Sequence, residues 1–172
     1  MAIYALGERV PDIDPSAFVH PQATVIGAVT IGPESSIWPG TVLRGDHGMI
    51  RVGARSSVQD GAVVHCTAEL DTVIGDDCTI GHLAHLEGCT LEPGSLVGSG
   101  AVVLHRAVVR SGGLVAAQAL VPPGMEVPSR ALARGVPARI VPDAADPELI
   151  AHATRTYVRN AHWYAADLRR ID

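Results

Sequence analysis

Residues 91–127 read LEPGSLVGSGAVVLHRAVVRSGGLVAAQALVPPGMEV, with an aliphatic at every sixth place: Leu91, Val97, Val103, Val109, Val115, Val121 and Val127. Toward the N-terminus, a step of five leads to Leu86, Ile80 and Ile74. A gap of ten then leads to Val64, Val58 and Val52, and a gap of nine to Leu43, Ile37, Ile31, Val25, Val19 and Ile13. Ile, Leu and Val fill about a quarter of the chain, so nineteen in-phase positions are not a chance pattern. An amphipathic helix would repeat every 3.6 residues and cannot hold a period of six over this length. Small residues often follow the aliphatic, as in Ile31-Gly32, Ile74-Gly75, Ile80-Gly81 and Val97-Gly98. The pattern predicts an all-β parallel β-helix in which each hexapeptide forms one short strand and its corner, with the aliphatic pointing inward. Each coil hydrogen-bonds to the next, so no coil is stable alone.

The composition agrees. Hydrophobic residues make up 47% of the chain but aromatics only 3%, so the core is built from small branched aliphatics. The net charge of −5 speaks against a nucleic-acid or anionic-membrane partner, both of which need a basic face. Met1 to Pro11 lacks the basic start and apolar stretch of a signal peptide, and no apolar run reaches membrane-spanning length. Cys66, Cys78 and Cys89 are odd in number and form no CxxC pair. They read as reduced, buried thiols of a cytoplasmic protein, with metal ligation as the alternative.

The tail follows a different rule. Asp146-Pro147-Glu148 has the form of an N-cap, a proline at the first helical position and an acid in the first turn. Leu149, Ala153, Tyr157, Ala161, Tyr164 and Leu168 then recur at steps of three and four. The expected organisation is a β-helix with its connector over 1–145 and a C-terminal segment over 146–172. The latter carries a helix from about 147 to 170 that lies on the outside of the coils.

The repeat breaks at 45–50, 66–72 and 87–90, and such departures are where functional sites are expected. Polar and metal-capable residues collect there: Arg44, Asp46 and His47; Gln59, Asp60 and His65; His82, His85 and Glu87. Taken singly, His20, His105, His152 and His162 read as surface or capping residues. Tyr157 could approach the site from the tail helix, although a helix-face aromatic is more often packing.

In series on one hexapeptide framework, Arg44-Gly45-Asp46, Gln59-Asp60, Val64-His65, Gly81-His82 and Gly88-Cys89 resemble the γ-class carbonic anhydrase family. The likeness covers nearly the whole chain, including the connector Gly135-Val136-Pro137-Ala138 and the tyrosine-bearing tail. It implies a left-handed coil of three strands per turn, hence about six coils, and a homotrimer with each metal between two protomers. The metal implied is zinc, with iron or cobalt as substitutes. By the same resemblance, His65 and His82 match two metal ligands, Arg44 and Asp46 match an ion pair at the trimer contact, and Gln59 matches the residue that orients the nucleophilic water. The implied reaction is reversible hydration of CO2 to bicarbonate.

One position departs from the family pattern: Glu87 stands where the family has its third ligand histidine, and His85 lies two residues earlier. Residues two apart on a strand share a face, so both flank inward Leu86 and point outward. Three readings stand open: Glu87 as third ligand, His85 as third ligand, or a weakened, metal-free site. Zinc accepts two histidines and a glutamate as well as three histidines, and the former set is that of hydrolytic enzymes. A hydrolase of thioesters or related acyl substrates and an inactive trimeric scaffold are therefore the alternatives. A hexapeptide acyltransferase shares the fold, but the His65/His82 series argues against it.

Overall fold

The computed structural model describes residues 2–172, and it is the β-helix that the period-six repeat predicts. One face stacks seven parallel strands: Phe18–Val19, Ser36–Ile37, Ser57–Val58, Thr79–Ile80, Leu96–Val97, Leu114–Val115 and Leu132–Arg134. The other two faces are joined by Thr24–Ile31 and Val42–Val52, long strands that bend from one face to the next. The second face carries Val63–His65 and His85–Glu87, and the third carries Thr72–Ile74 and Thr90–Leu91.

Seven rungs, rather than about six, arise because the end coils use residues outside the aliphatic series. Ile3 pairs with Val25 at one end, and buried Ala133 stands in the aliphatic slot six residues after Val127 at the other. Beyond it, Arg139–Val141 pairs antiparallel with Leu132–Arg134 and closes that end of the sheet.

Aliphatics of the series line a single dry interior, with Val25, Leu43, Val64, Leu86, Val103 and Val121 all fully buried. Two residues before many of them lies a corner too tight for a large side chain. Ala23, Ala62, Ala84, Ala101, Ala107, Ala119 and Ala131 fill this slot. Cys78 and Cys89 take the same slot, and this packing explains why they are buried, free thiols. Burial pushes the Cys89 thiol up to about 12 and raises that of Cys78 as well.

Most corners turn through a residue in the left-handed region, glycine at Gly40, Gly61 and Gly94 and a side-chain-bearing residue at others. Arg55 and Asp77, both left-handed, stack on successive coils and form a bidentate ion pair with both contacts at 2.7 Å.

Asp146 caps the C-terminal helix Pro147–Asp167 by accepting from the Glu148 and Leu149 amides. The helix ends earlier than about 170, and its inward stripe is Ile150, Thr154, Tyr157, Ala161 and Tyr164. Leu149 and Leu168, expected on that stripe, are 51% and 46% exposed. The helix lies against the first face, on the strands that begin at Phe18, Ser36, Ser57 and Thr79. Phe18, Trp38, Tyr157 and Tyr164 form an aromatic seam between the two layers, edge-to-face except for the tilted Phe18–Trp38 pair. The Trp38 indole N–H is satisfied by the Ser36 and Ser57 hydroxyls, at 3.0 Å each. No helix among the described residues is long and apolar enough to cross a membrane.

Candidate functional site

The second face carries polar residues at both of its edges. Register alignment places Arg44 beside His65, and His65 beside Glu87, on successive rungs where this face turns into the third. The bulged strand Val42–Val52 folds Asp46 back over them. His65 is the centre of the group. Its Nδ1 lies 2.8 Å from Glu87 Oε1 and its Nε2 2.9 Å from Asp46 Oδ1, while Arg44 pairs with the other oxygen of Asp46. Carboxylates only accept, so both contacts are hydrogen bonds when both ring nitrogens carry protons.

Glu87 is the second hub. Its Oε2 lies 3.6 Å from His85 Nε2 and 3.5 Å from His105 Nε2. Leu86, between His85 and Glu87, is fully buried, so the two side chains emerge on the same outer surface, as strand alternation requires. Burial pushes the Glu87 carboxyl up, but the hydrogen bond from His65 and the positive fields of His65, His105 and His85 outweigh it and hold it below its ordinary range. Asp46 is lowered in the same way: burial opposes ionisation, and the His65 hydrogen bond and the Arg44 charge overcome it.

His82 is elsewhere. It sits at the opposite edge of the second face, at the corner shared with the first face, beside Gln59 and Asp60 on the preceding coil. His82 Nδ1 is 2.9 Å from Asp60 Oδ2, and its Nε2 is 3.5 Å from the Tyr157 hydroxyl of the tail helix. Burial and then the Asp60 charge raise the Tyr157 phenol. Gln59 is only 4% exposed, and its backbone N–H donates to Ile80 O at 2.9 Å. His47 follows Asp46 on the bulge, and its backbone N–H donates to the Asp46 carboxylate.

The residues singled out in the sequence thus form two groups rather than one: Arg44, Asp46, His65, His85 and Glu87 at one edge, and Gln59 and His82 at the other. No three His, Cys, Asp or Glu side chains among the described residues stand together as a ready cation cage. The donor chemistry does fit zinc: imidazole and carboxylate are both accepted, and two histidines with one glutamate make a complete protein set. One chain places His65 and Glu87 in contact, and the third donor, His82, lies across the face.

His105 corrects the sequence reading. It is not a bland surface residue, because it faces Glu87 from the next coil and its Nε2 is buried without a hydrogen-bond partner. Its place was hidden in the sequence, because the five-residue step after Leu86 shortens this turn to seventeen residues, as in Leu86 beside Val103, and leaves His105 one position past the rung of Glu87. His20 does cap locally, its Nδ1 accepting the Gln22 amide at 3.1 Å.

Comparison with known proteins gives the fold a lineage. The six-repeat bacterial transferase hexapeptide family matches residues 71–119. The mitochondrial γ carbonic anhydrase 1 of Arabidopsis thaliana is 41% identical over 168 residues, covering 93% of this chain, which itself spans only 61% of that protein. The carnitine operon protein CaiE of Escherichia coli K12 is 40% identical over 149 residues, 87% of this chain and 76% of CaiE. A crystal structure of a hexapeptide transferase family protein from Anaplasma phagocytophilum superposes with a TM-score of 0.91 at 37% identity, covering 95% of this chain and 98% of the other. With the period-six core, the seven-rung β-helix and these relatives all in agreement, the chain belongs to the γ carbonic anhydrase/CaiE family of hexapeptide-repeat proteins.

Proposed function

We propose that this protein is a metal-dependent enzyme that reversibly hydrates CO2 to bicarbonate at sites shared between the copies of a homotrimer. The observation that carries the reading is the division of donors between two edges of one face: His65 with Glu87 on one edge, His82 on the other. A head-to-tail contact joins unlike edges of two copies, and three such contacts close a ring. That arrangement sets His82 of one copy against His65 and Glu87 of the next and completes a two-histidine, one-glutamate set. The 41% identity to γ carbonic anhydrase 1 supports the same reading. The three buried thiols accord with a reducing cytoplasm.

When bound, zinc in such a set supplies a water acidified to a pKa of about 7 as the nucleophile. The chain's own residues prepare for this. Asp60 accepts a hydrogen bond from His82 Nδ1–H, which fixes the tautomer that leaves the Nε2 lone pair to ligate. His65 would ligate through whichever ring nitrogen carries no proton, while the other donates to its carboxylate. Gln59, pinned by its backbone beside His82, offers an amide that both donates and accepts and so orients a water. Glu87 adds a negative charge to the set, which weakens the pull on the water's proton. That charge favours a second reading, hydrolysis of thioesters or related acyl substrates.

The test uses zinc-reconstituted protein in light scattering and stopped-flow CO2 hydration, with thioester hydrolysis measured on the same samples. The expected result is a trimer whose hydration is abolished by His82→Ala and falls about 10–100-fold in Gln59→Ala. A monomer, or full hydration in His82→Ala, would overturn the shared site. Thioester turnover that alone depends on His82 would select the hydrolase.

A further inference from the structure

Eight residues other than glycine hold a left-handed backbone among the described residues, and seven of them are Glu, Asp, Arg or Gln. The eighth is Leu83, at φ 59°. Left-handed backbone crowds the Cβ of an L-residue against the carbonyl that follows, and a branched apolar side chain offers no hydrogen bond in return. The corner positions on the coils before and after it are both glycine, Gly61 and Gly100, so the turn itself does not require a leucine. Nor does the core, since Leu83 is 71% exposed. A single copy thus carries a strained backbone and an exposed apolar side chain with nothing of its own to offset either.

Position gives the residue a use. Leu83 directly follows His82, the donor that the proposed function sets against the next copy. Its side chain runs back over the preceding coil, where a Cβ at Gly61 would stand 2.7 Å from Leu83 Cδ2. Val63, two residues on from Gly61, is 39% exposed and adds apolar surface on that coil. The opposite edge of the same face has a matching feature. The excursion between His65 and Thr72 lays half-buried Leu70 on Gly88, the residue after Glu87. A Cβ at Gly88 would stand 3.0 Å from Leu70 Cβ and 3.2 Å from its Cδ1. Each edge of the second face therefore carries one leucine beside its metal donor.

We infer that Leu83 is the anchor by which one copy of this chain seats on the next, its side chain packing on Leu70 of the neighbouring copy beside the shared site. The inference rests on the head-to-tail ring of the proposed function, in which His82 of one copy meets Glu87 of the next, so that the two leucines meet as well. A contact closed over by both chains excludes water from the rim of the site. Its burial offsets the strain that Leu83 carries in a copy alone.

The test is subunit exchange in the zinc-reconstituted protein, followed by energy transfer between copies labelled with donor and acceptor dyes. The chain has no lysine, so amine-reactive dyes mark only the α-amine. The variants are Leu83→Asn, Leu83→Gly, Leu70→Ala and the double variant Leu83→Asn/Leu70→Ala. Asn and Gly accept left-handed backbone more readily than leucine, so neither should disturb the coil, and far-UV circular dichroism verifies this. Wild type is expected to be a trimer, and each Leu83 variant to exchange about 10–100-fold faster, the factor for exposing a buried leucine. Because the two leucines act as one contact, the double variant should exchange no faster than Leu83→Asn. A trimer whose exchange is unchanged in both Leu83 variants would overturn the anchor and leave the proposed function standing. A double variant in which the two effects multiply would overturn the pairing with Leu70. A wild type that stays monomeric at every concentration would overturn both the ring and the anchor.

Discussion

Replacing Leu86 by alanine tests the core and the site together, because Leu86 is the fully buried residue between outward His85 and Glu87. Its rung pairs with Val64 on one side and Val103 on the other. Three carbons are lost, each contributing about 0.8 kcal/mol of transfer free energy, or roughly 2.4 kcal/mol. The neighbouring rungs are held by backbone bonds such as Val63 N–H to Ala84 O and His85 N–H to Ala101 O, both 2.9 Å. They cannot slide inward, so most of roughly 80 Å3 stays open. At about 24 cal/mol per Å3 this adds about 2 kcal/mol, for a total near 4 kcal/mol. Urea unfolding at fixed protein concentration reads the loss as a midpoint shift of about 2 M if m is about 2 kcal/mol/M and unchanged. Ile13 is the control, being only partly buried in an end coil with one aliphatic neighbour, Ile31. Ile13→Ala is expected to cost about half as much. A Leu86→Ala shift no larger than that of Ile13→Ala would refute the rigid-rung argument and show that the coils collapse onto a cavity.

Two further predictions follow from the titrating groups. All three thiols have pKa values raised chiefly by burial, so at pH 8 an aromatic disulfide reagent should modify none of them in native protein and three per chain in urea. Rapid native labelling would mean that the small-residue corners open. Arg110 bridges Glu92 and Glu126 at 2.6 and 2.8 Å and holds both carboxyls below the ordinary 4.5, chiefly through those hydrogen bonds. Their contribution is therefore full above pH 4.5 and is lost as pH falls below it, so Arg110→Ala should flatten stability against pH only on the acid limb. An equal loss at pH 4 and pH 7 would contradict this.

How legible the site was depended on the kind of relation each residue has to its partners. Arg44 and Asp46 are two apart, and their pairing needs only one bulged strand. His85 and Glu87 share a face by strand alternation, which sequence alone specifies. The contact of His65 with Glu87 spans twenty-two residues, one coil lengthened by the excursion at 66–71, and only the register shows that the excursion loops out without shifting the rungs. His105 was missed because the five-residue step between Leu86 and Leu91 makes this turn seventeen residues, so His105 meets Glu87 from one position past its rung.

By itself, the sequence determined the β-helix, its inward aliphatics and the capped tail helix. Each of these repeats a local rule, and nineteen repetitions leave no competing period. The tertiary structure alone decided which coils' side chains meet. It set His65 on Glu87, brought His105 beside them, and carried His82 to the far edge with Asp60 and Tyr157. The physical reason is that a core position depends on phase within one hexapeptide. A site between rungs depends instead on the summed length of the turns that separate its members, and one added residue moves a side chain to another face.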